Sequence, residues 1–115
     1  MEIVAFIIQG ILLLVFALAG IGKVAGSEMH VENFEYWRLP QRFRVITGIV
    51  EIAGAALLLM GYWMPNSAMA GALILGITGI GGIITHIRVK DSFKETSTIL
   101  ILTILSSILF FINYL

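Results

Sequence analysis

The chain has 115 residues, 59% of them hydrophobic and 12% charged, with a mean hydropathy of +1.03, a formal net charge of zero and no cysteine. A chain this apolar does not stay dispersed in water unless something hides its surface, and lipid is the simplest cover. Neutrality without a long basic tract argues against nucleic-acid binding, and the lack of thiols excludes dithiol chemistry, thiolate-held iron–sulfur clusters and disulfides.

Four apolar runs can be counted, Ile3 to Gly22, Val45 to Trp63, Ser67 to Thr85 and Ser97 to Leu115. Each has about the 20 residues that a helix needs to cross roughly 30 Å of hydrocarbon. Backbone groups in lipid must pair internally, and no run alternates as a barrel strand does. The expected fold is therefore all-α, an integral membrane four-helix transmembrane bundle formed by one domain over residues 1–115.

The first run opens with Glu2 in place of a basic n-region and is longer than a signal-peptide core, so it reads as a retained span. Gln9, Leu13, Phe16, Gly20 and Lys23 recur at heptad-like spacing and share one face, which should look into the bundle. Gln9 reads as an interhelical hydrogen bonder. Lys23 has two readings: it snorkels to the headgroups, or it pairs with an acid in the second span.

The one long connection runs from Val24 to Arg44. In it Val31, Phe34 and Trp37 recur every third residue with Glu32, Glu35 and Arg38 on other faces, which predicts a short amphipathic helix at the interface between helices 1 and 2. Tyr36 and Trp37 fall at headgroup depth, and the Leu39-Pro40 step ends the helix. Phe34, Tyr36 and Trp37 in so long a connector suggest a lid or a partner surface.

The second run is interrupted by one ionisable residue, Glu51. A carboxylate at mid-bilayer costs roughly 2.5–3.5 kcal/mol on insertion scales, so it is retained where it faces other helices, a cavity or a partner charge. Gly48 and Ala55 share its helix face and Gly54 lies close by, and small residues let another backbone approach.

In the third run Ala68, Ala72, Gly76 and Gly79 form one smooth stripe, and His86 falls at the end of it, aimed inward. Gly81 and Gly82 weaken the last turns, allowing a kink or leaving a pocket. A mixed-charge hairpin from Arg88 to Glu95 leads to the fourth run, whose Thr96, Thr103, Ser106 and Ser107 should bond back to their own helix or to a neighbour.

All seven Lys and Arg lie in the connection after the first run or in the one after the third. The positive-inside rule places both basic loops in the cytoplasm and both termini outside, as expected of a multi-pass protein of the plasma (inner) membrane. Lys23 and His86 then end their helices on the cytoplasmic side, with Glu51 about 10 Å deeper and part of that gap within reach of a lysine side chain. The ammonium, acid and base converge as a small-ligand or proton-handling site would need. A purely structural buried ion pair would look the same. One histidine and one carboxylate are too few for a metal site.

The Gly20-x-x-Lys23 end of the first run, the Leu39-Pro40 step, Gly48-x-x-Glu51-x-x-Gly54 and Thr85-His86 resemble, in order and spacing, the DoxX-like family of small membrane proteins. The resemblance implies a four-helix bundle, with Lys23, Glu51 and His86 at the family's polar positions. Relatives include small subunits of thiosulfate:quinone oxidoreductase, proteins of membrane-associated oxidoreductase complexes and receptor-assembly chaperones. Two readings follow. One is an accessory subunit or chaperone that binds another membrane protein or a second copy of itself, since the chain has little extramembrane material for a catalytic apparatus. The other is an oxidoreductase component that binds a quinone or similar apolar molecule through Lys23, Glu51 and His86.

Overall fold

The computed structural model describes residues 2–115 and contains five helices: α1 (Glu2–Ala25), α2 (Glu28–Tyr36), α3 (Gln41–Met60), α4 (Pro65–Arg88) and α5 (Phe93–Tyr114). The described residues contain no strand. Helices α1, α3, α4 and α5 are each long and apolar enough to cross a membrane. The shortest of them, at 20 residues, is about 30 Å long, and the molecule is 39 Å in its longest dimension. The expected all-α four-helix membrane bundle is thus the observed fold, and the interfacial helix is α2.

The helices extend past the apolar runs. α3 begins at Gln41, four residues before the predicted span, because hydropathy marks the hydrocarbon boundary and the helix continues into the polar layer. There Arg44 donates to Gln41 Oε1 at 2.7 Å and to the Lys23 carbonyl at the end of α1. The stretch from Arg88 to Glu95 is not a free hairpin: α4 includes Arg88, α5 starts at Phe93, and the Ser92 hydroxyl caps α5 by accepting from the Glu95 amide at 3.3 Å. Pro65 sits in the first turn of α4, where its missing N–H costs nothing.

The four long helices close a ring in which α1 packs on α3, α3 on α4, α4 on α5 and α5 back on α1, while α2 lies across one end against α3 and α1. Leu12, Phe16, Ala55, Leu58, Ala72, Leu75 and Leu109 form the core. Large apolar side chains such as Leu14, Leu18 and Ile77 stay exposed on the outer faces, as lipid contact requires.

Backbones meet most closely at glycines. A Cβ on Gly20 would lie 2.8 Å from the Gly48 carbonyl oxygen and one on Gly48 2.8 Å from that of Gly20, so α1 and α3 touch where only glycine fits. The small-residue stripe of α4 is less uniform than its spacing predicts. Ala68, Ala72 and Gly79 are buried, but Gly76 is only half-buried and a Cβ there would meet just Ser106 Cβ at 3.8 Å. Within the stripe, the tight contact with α5 is at Gly79, which abuts Thr103.

Gln9 donates to the Leu58 carbonyl at 2.7 Å, the interhelical bond anticipated for a buried amide. The hydroxyls of Thr103, Ser106 and Ser107 bond back to carbonyls four residues earlier, so they add no polar demand to the interior.

Candidate functional site

At the end of the bundle that carries α2, a cavity of about 570 Å³ separates α3 from α4. Each wall follows from local sequence. Gly81 leaves room on α4, where a Cβ would meet nothing within 4 Å, whereas Ile99 of α5 packs against Gly82, and the helix runs unbroken to Arg88. Val50 and Ile46 line the α3 side, and Phe34, Trp37 and Leu39 form the roof contributed by α2 and its exit turn. Because Gly81, Phe43 and Ile46 are both lining and exposed, the cavity opens sideways between α3 and α4.

Lys23, Glu51 and His86 all line this cavity. Glu51 is ten residues into α3, about 15 Å along its axis, and its side chain is 5% exposed. The Lys23 side chain is 12% exposed, and its ammonium lies 2.8 Å from Glu51 Oε1. Of the two readings of Lys23, pairing therefore describes it. An ammonium carries three N–H donors and one contact to Oε1 uses one of them, so Lys23 keeps donors to spare. Gly20 and Gly48 explain the reach: by letting α1 and α3 touch one turn nearer the membrane surface, they place Lys23 Cβ directly over α3.

His86 reaches the same cavity but is engaged elsewhere. Its Nδ1 lies 2.6 Å from Asp91 Oδ2, whose other oxygen accepts from the Tyr36 hydroxyl at 2.9 Å. The Trp37 ring packs edge-on against the imidazole with centroids 5.5 Å apart, and Arg88 donates to the Trp37 carbonyl. These contacts latch the end of α2 to the end of α4. With Nδ1 held by a carboxylate, Nε2 is the nitrogen left without a partner among the described residues.

Asp91 was not expected from sequence. It sits where it does because α4 ends in a left-handed turn at Lys90 (φ 61°), with the Asp91 amide donating to the His86 carbonyl at 2.9 Å and the Lys90 amide to that of Ile87 at 3.0 Å. This helix ending brings the residue after the left-handed position back beside the residue five earlier. The signal was the spacing His86-x4-Asp91 across a helix end. Burial raises the Asp91 carboxyl, but hydrogen bonds from Tyr36 and His86 outweigh it and hold it below its ordinary range. The Tyr36 hydroxyl is raised, first by its bond to Asp91 and then by that carboxylate's charge.

Four long apolar helices, a membrane-level cavity and a buried Lys–Glu pair define a small polytopic membrane protein with a polar site inside its bundle. The chain belongs to the DoxX-like family, whose model matches residues 7–109. It is 34% identical over 88 residues to the uncharacterized protein YdgD of Bacillus subtilis (strain 168), an alignment covering 75% of this chain and 77% of that one. No solved structure matches the chain.

Proposed function

We propose that the cavity binds an amphipathic small molecule with a carbonyl or hydroxyl head, a quinone-like ring being the class that best suits its chemistry. The observation that carries this reading is the placement of the Lys23–Glu51 pair at the wall of an apolar cavity of about 570 Å³ that opens between α3 and α4. That volume lies within the usual range for small-molecule sites, and a few polar groups on apolar walls are their usual composition. The spare donors of Lys23 suit a ligand carbonyl, and His86 Nε2 suits a second oxygen at the rim. Glu51 compensates the ammonium and is the group suited to exchanging a proton with the ligand. Thr78 and Thr85 present little competing polarity, since their hydroxyls are bonded to the Ile74 and Gly81 carbonyls.

The lateral opening suits a ligand that arrives through the lipid. On this reading the chain serves a membrane complex as an accessory component that holds the ligand, and a redox partner would act on what it holds. The family resemblance and the cavity support both parts. Purification in mild detergent, followed by native mass spectrometry and an absorbance spectrum, should show a bound small apolar molecule. A preparation that carries none, and takes up none of an added short-chain benzoquinone, would refute it.

The orientation proposed with this function puts the basic turns, the latch and α2 on the cytoplasmic side of the plasma membrane, with both termini outside. Cysteines substituted for Ser27 and Ser92 should then resist an impermeant thiol reagent in intact cells. Rapid labelling of both would reverse the assignment.

A further inference from the structure

Outside the cavity, on the other side of the latch, Tyr36, Trp37, Arg38, Arg88, Val89 and Lys90 line a second recess of about 420 Å³. Three of those six residues are cationic and none is acidic. The recess forms where the left-handed turn after α2, at Arg38 (φ 60°), lies beside the matching turn after α4, at Lys90 (φ 61°). The bond from Arg88 to the Trp37 carbonyl ties the two turns together. Among the described residues, no carboxylate lies within 4.0 Å of any of the three cations, the two ion pairs being Lys23–Glu51 and His86–Asp91. The nearest acid along the chain, Asp91, has both oxygens committed to His86 and Tyr36. Like charges gathered without a counter-ion repel, and an anion that bridges them relieves the repulsion.

The position of the recess says which anion. It lies at the ends of α2 and α4, at the membrane–water boundary, with Tyr36 and Trp37 as the aromatic residues expected at that depth. Ile80, Ile84 and Ile87, between 51% and 68% exposed, run down α4 from Arg88, Ile84 being one turn below it on the same face. A cationic recess above an exposed apolar stripe matches a phosphate headgroup above an acyl chain. We propose that this recess binds the phosphate of an anionic phospholipid through Arg38, Arg88 and Lys90, with a chain lying along the α4 isoleucines. Trp37 lies between the recess and the cavity and lines both, but none of the three cations lines the cavity between α3 and α4.

The test uses the full chain reconstituted in nanodiscs of phosphatidylcholine containing a minority of phosphatidylglycerol, released into native mass spectrometry. The wild type should retain phosphatidylglycerol in clear preference to phosphatidylcholine. The double variant Arg38→Gln/Lys90→Gln leaves the bond from Arg88 to Trp37 in place and should lose about 30-fold of that preference, from about fivefold for each interfacial cation removed. Arg42→Gln, which changes a cation lying over Phe43 outside the recess, should leave the preference unchanged. Equal retention of the two lipids by the wild type, or a preference that the double variant keeps, would overturn the proposal. Displacement of phosphatidylglycerol by millimolar inorganic phosphate would show that the site takes the free anion, and would overturn the lipid as its ligand.

Discussion

Two glycine-to-alanine substitutions on neighbouring helices should have opposite effects, because one glycine is filled against and the other is not. At Gly48 an added Cβ would lie 2.8 Å from the Gly20 carbonyl oxygen, 2.9 Å from Lys23 Cβ and 2.9 Å from Val24 Cγ2. Two of those atoms are backbone or first side-chain atoms that cannot rotate away. Ordinary contact begins near 3.4 Å, so α1 must retreat by about 0.6 Å, an overpacking that costs about 1–3 kcal/mol. The better helix propensity of alanine offsets about 1 kcal/mol of this. At Gly81 nothing lies within 4 Å, so the same propensity gain should appear undiminished while the methyl narrows the cavity. Gly48→Ala should therefore be less stable than Gly81→Ala by about 1–3 kcal/mol, read from unfolding in mixed dodecylmaltoside and dodecyl sulfate by circular dichroism. Equal stability would show that α1 and α3 are not held in glycine contact, and the placement of Lys23 over Glu51 would lose its explanation.

Removing one member of the Lys23–Glu51 pair should cost about 3–5 kcal/mol, whereas Lys23→Met with Glu51→Leu should return stability to near the parent. If the double variant is as unstable as either single one, the pair is part of a wider polar network. Asp91, held below its ordinary 3.8, contributes stability that is present above that value and lost as pH falls through its lower folded value. Tyr36, raised above 10.0, contributes stability that is present below that value and lost as pH rises through its folded value. Hydrogen exchange of the α2 amides should therefore speed up at the acid end, where Asp91 takes up its proton, and at the alkaline end, where Tyr36 loses its own; exchange unchanged at both ends would contradict the latch described.

Much of this arrangement was legible in the chain because lipid enforces simple rules. Apolar length fixed the spans, and the cost of a mid-membrane carboxylate marked Glu51 and required a partner for it. Gly48 and Ala55 on the face of Glu51 anticipated a close approach there, whereas Lys23 had two readings, of which the structure has the pairing. Two things were not legible. Gly76 shares a stripe with Gly79, but which of them meets α5 depends on how the helices cross, and periodicity on one helix does not set a crossing angle. Asp91 and Tyr36 are 55 residues apart and meet through the left-handed turn at Lys90, a conformation usually signalled by glycine and here adopted by lysine. His86 was accordingly read only as aimed inward beside Lys23 and Glu51; it does line the same cavity, and its bond to Asp91 is what the spacing did not show.

The central claim is that the cavity beside Glu51 and Lys23 takes an amphipathic carbonyl ligand, and Trp37 in its lining is a built-in reporter. The other tryptophan, Trp63, is at the opposite end of α3 and 77% exposed, so Trp63→Phe leaves a single indole at the site. Titrating that variant in nanodiscs with a short-chain benzoquinone should give saturable quenching of Trp37. Glu51→Gln should abolish the saturable part while circular dichroism stays unchanged. Quenching that rises linearly with quinone in the parent, as simple partitioning into lipid would give, or saturation that survives Glu51→Gln, would contradict the account.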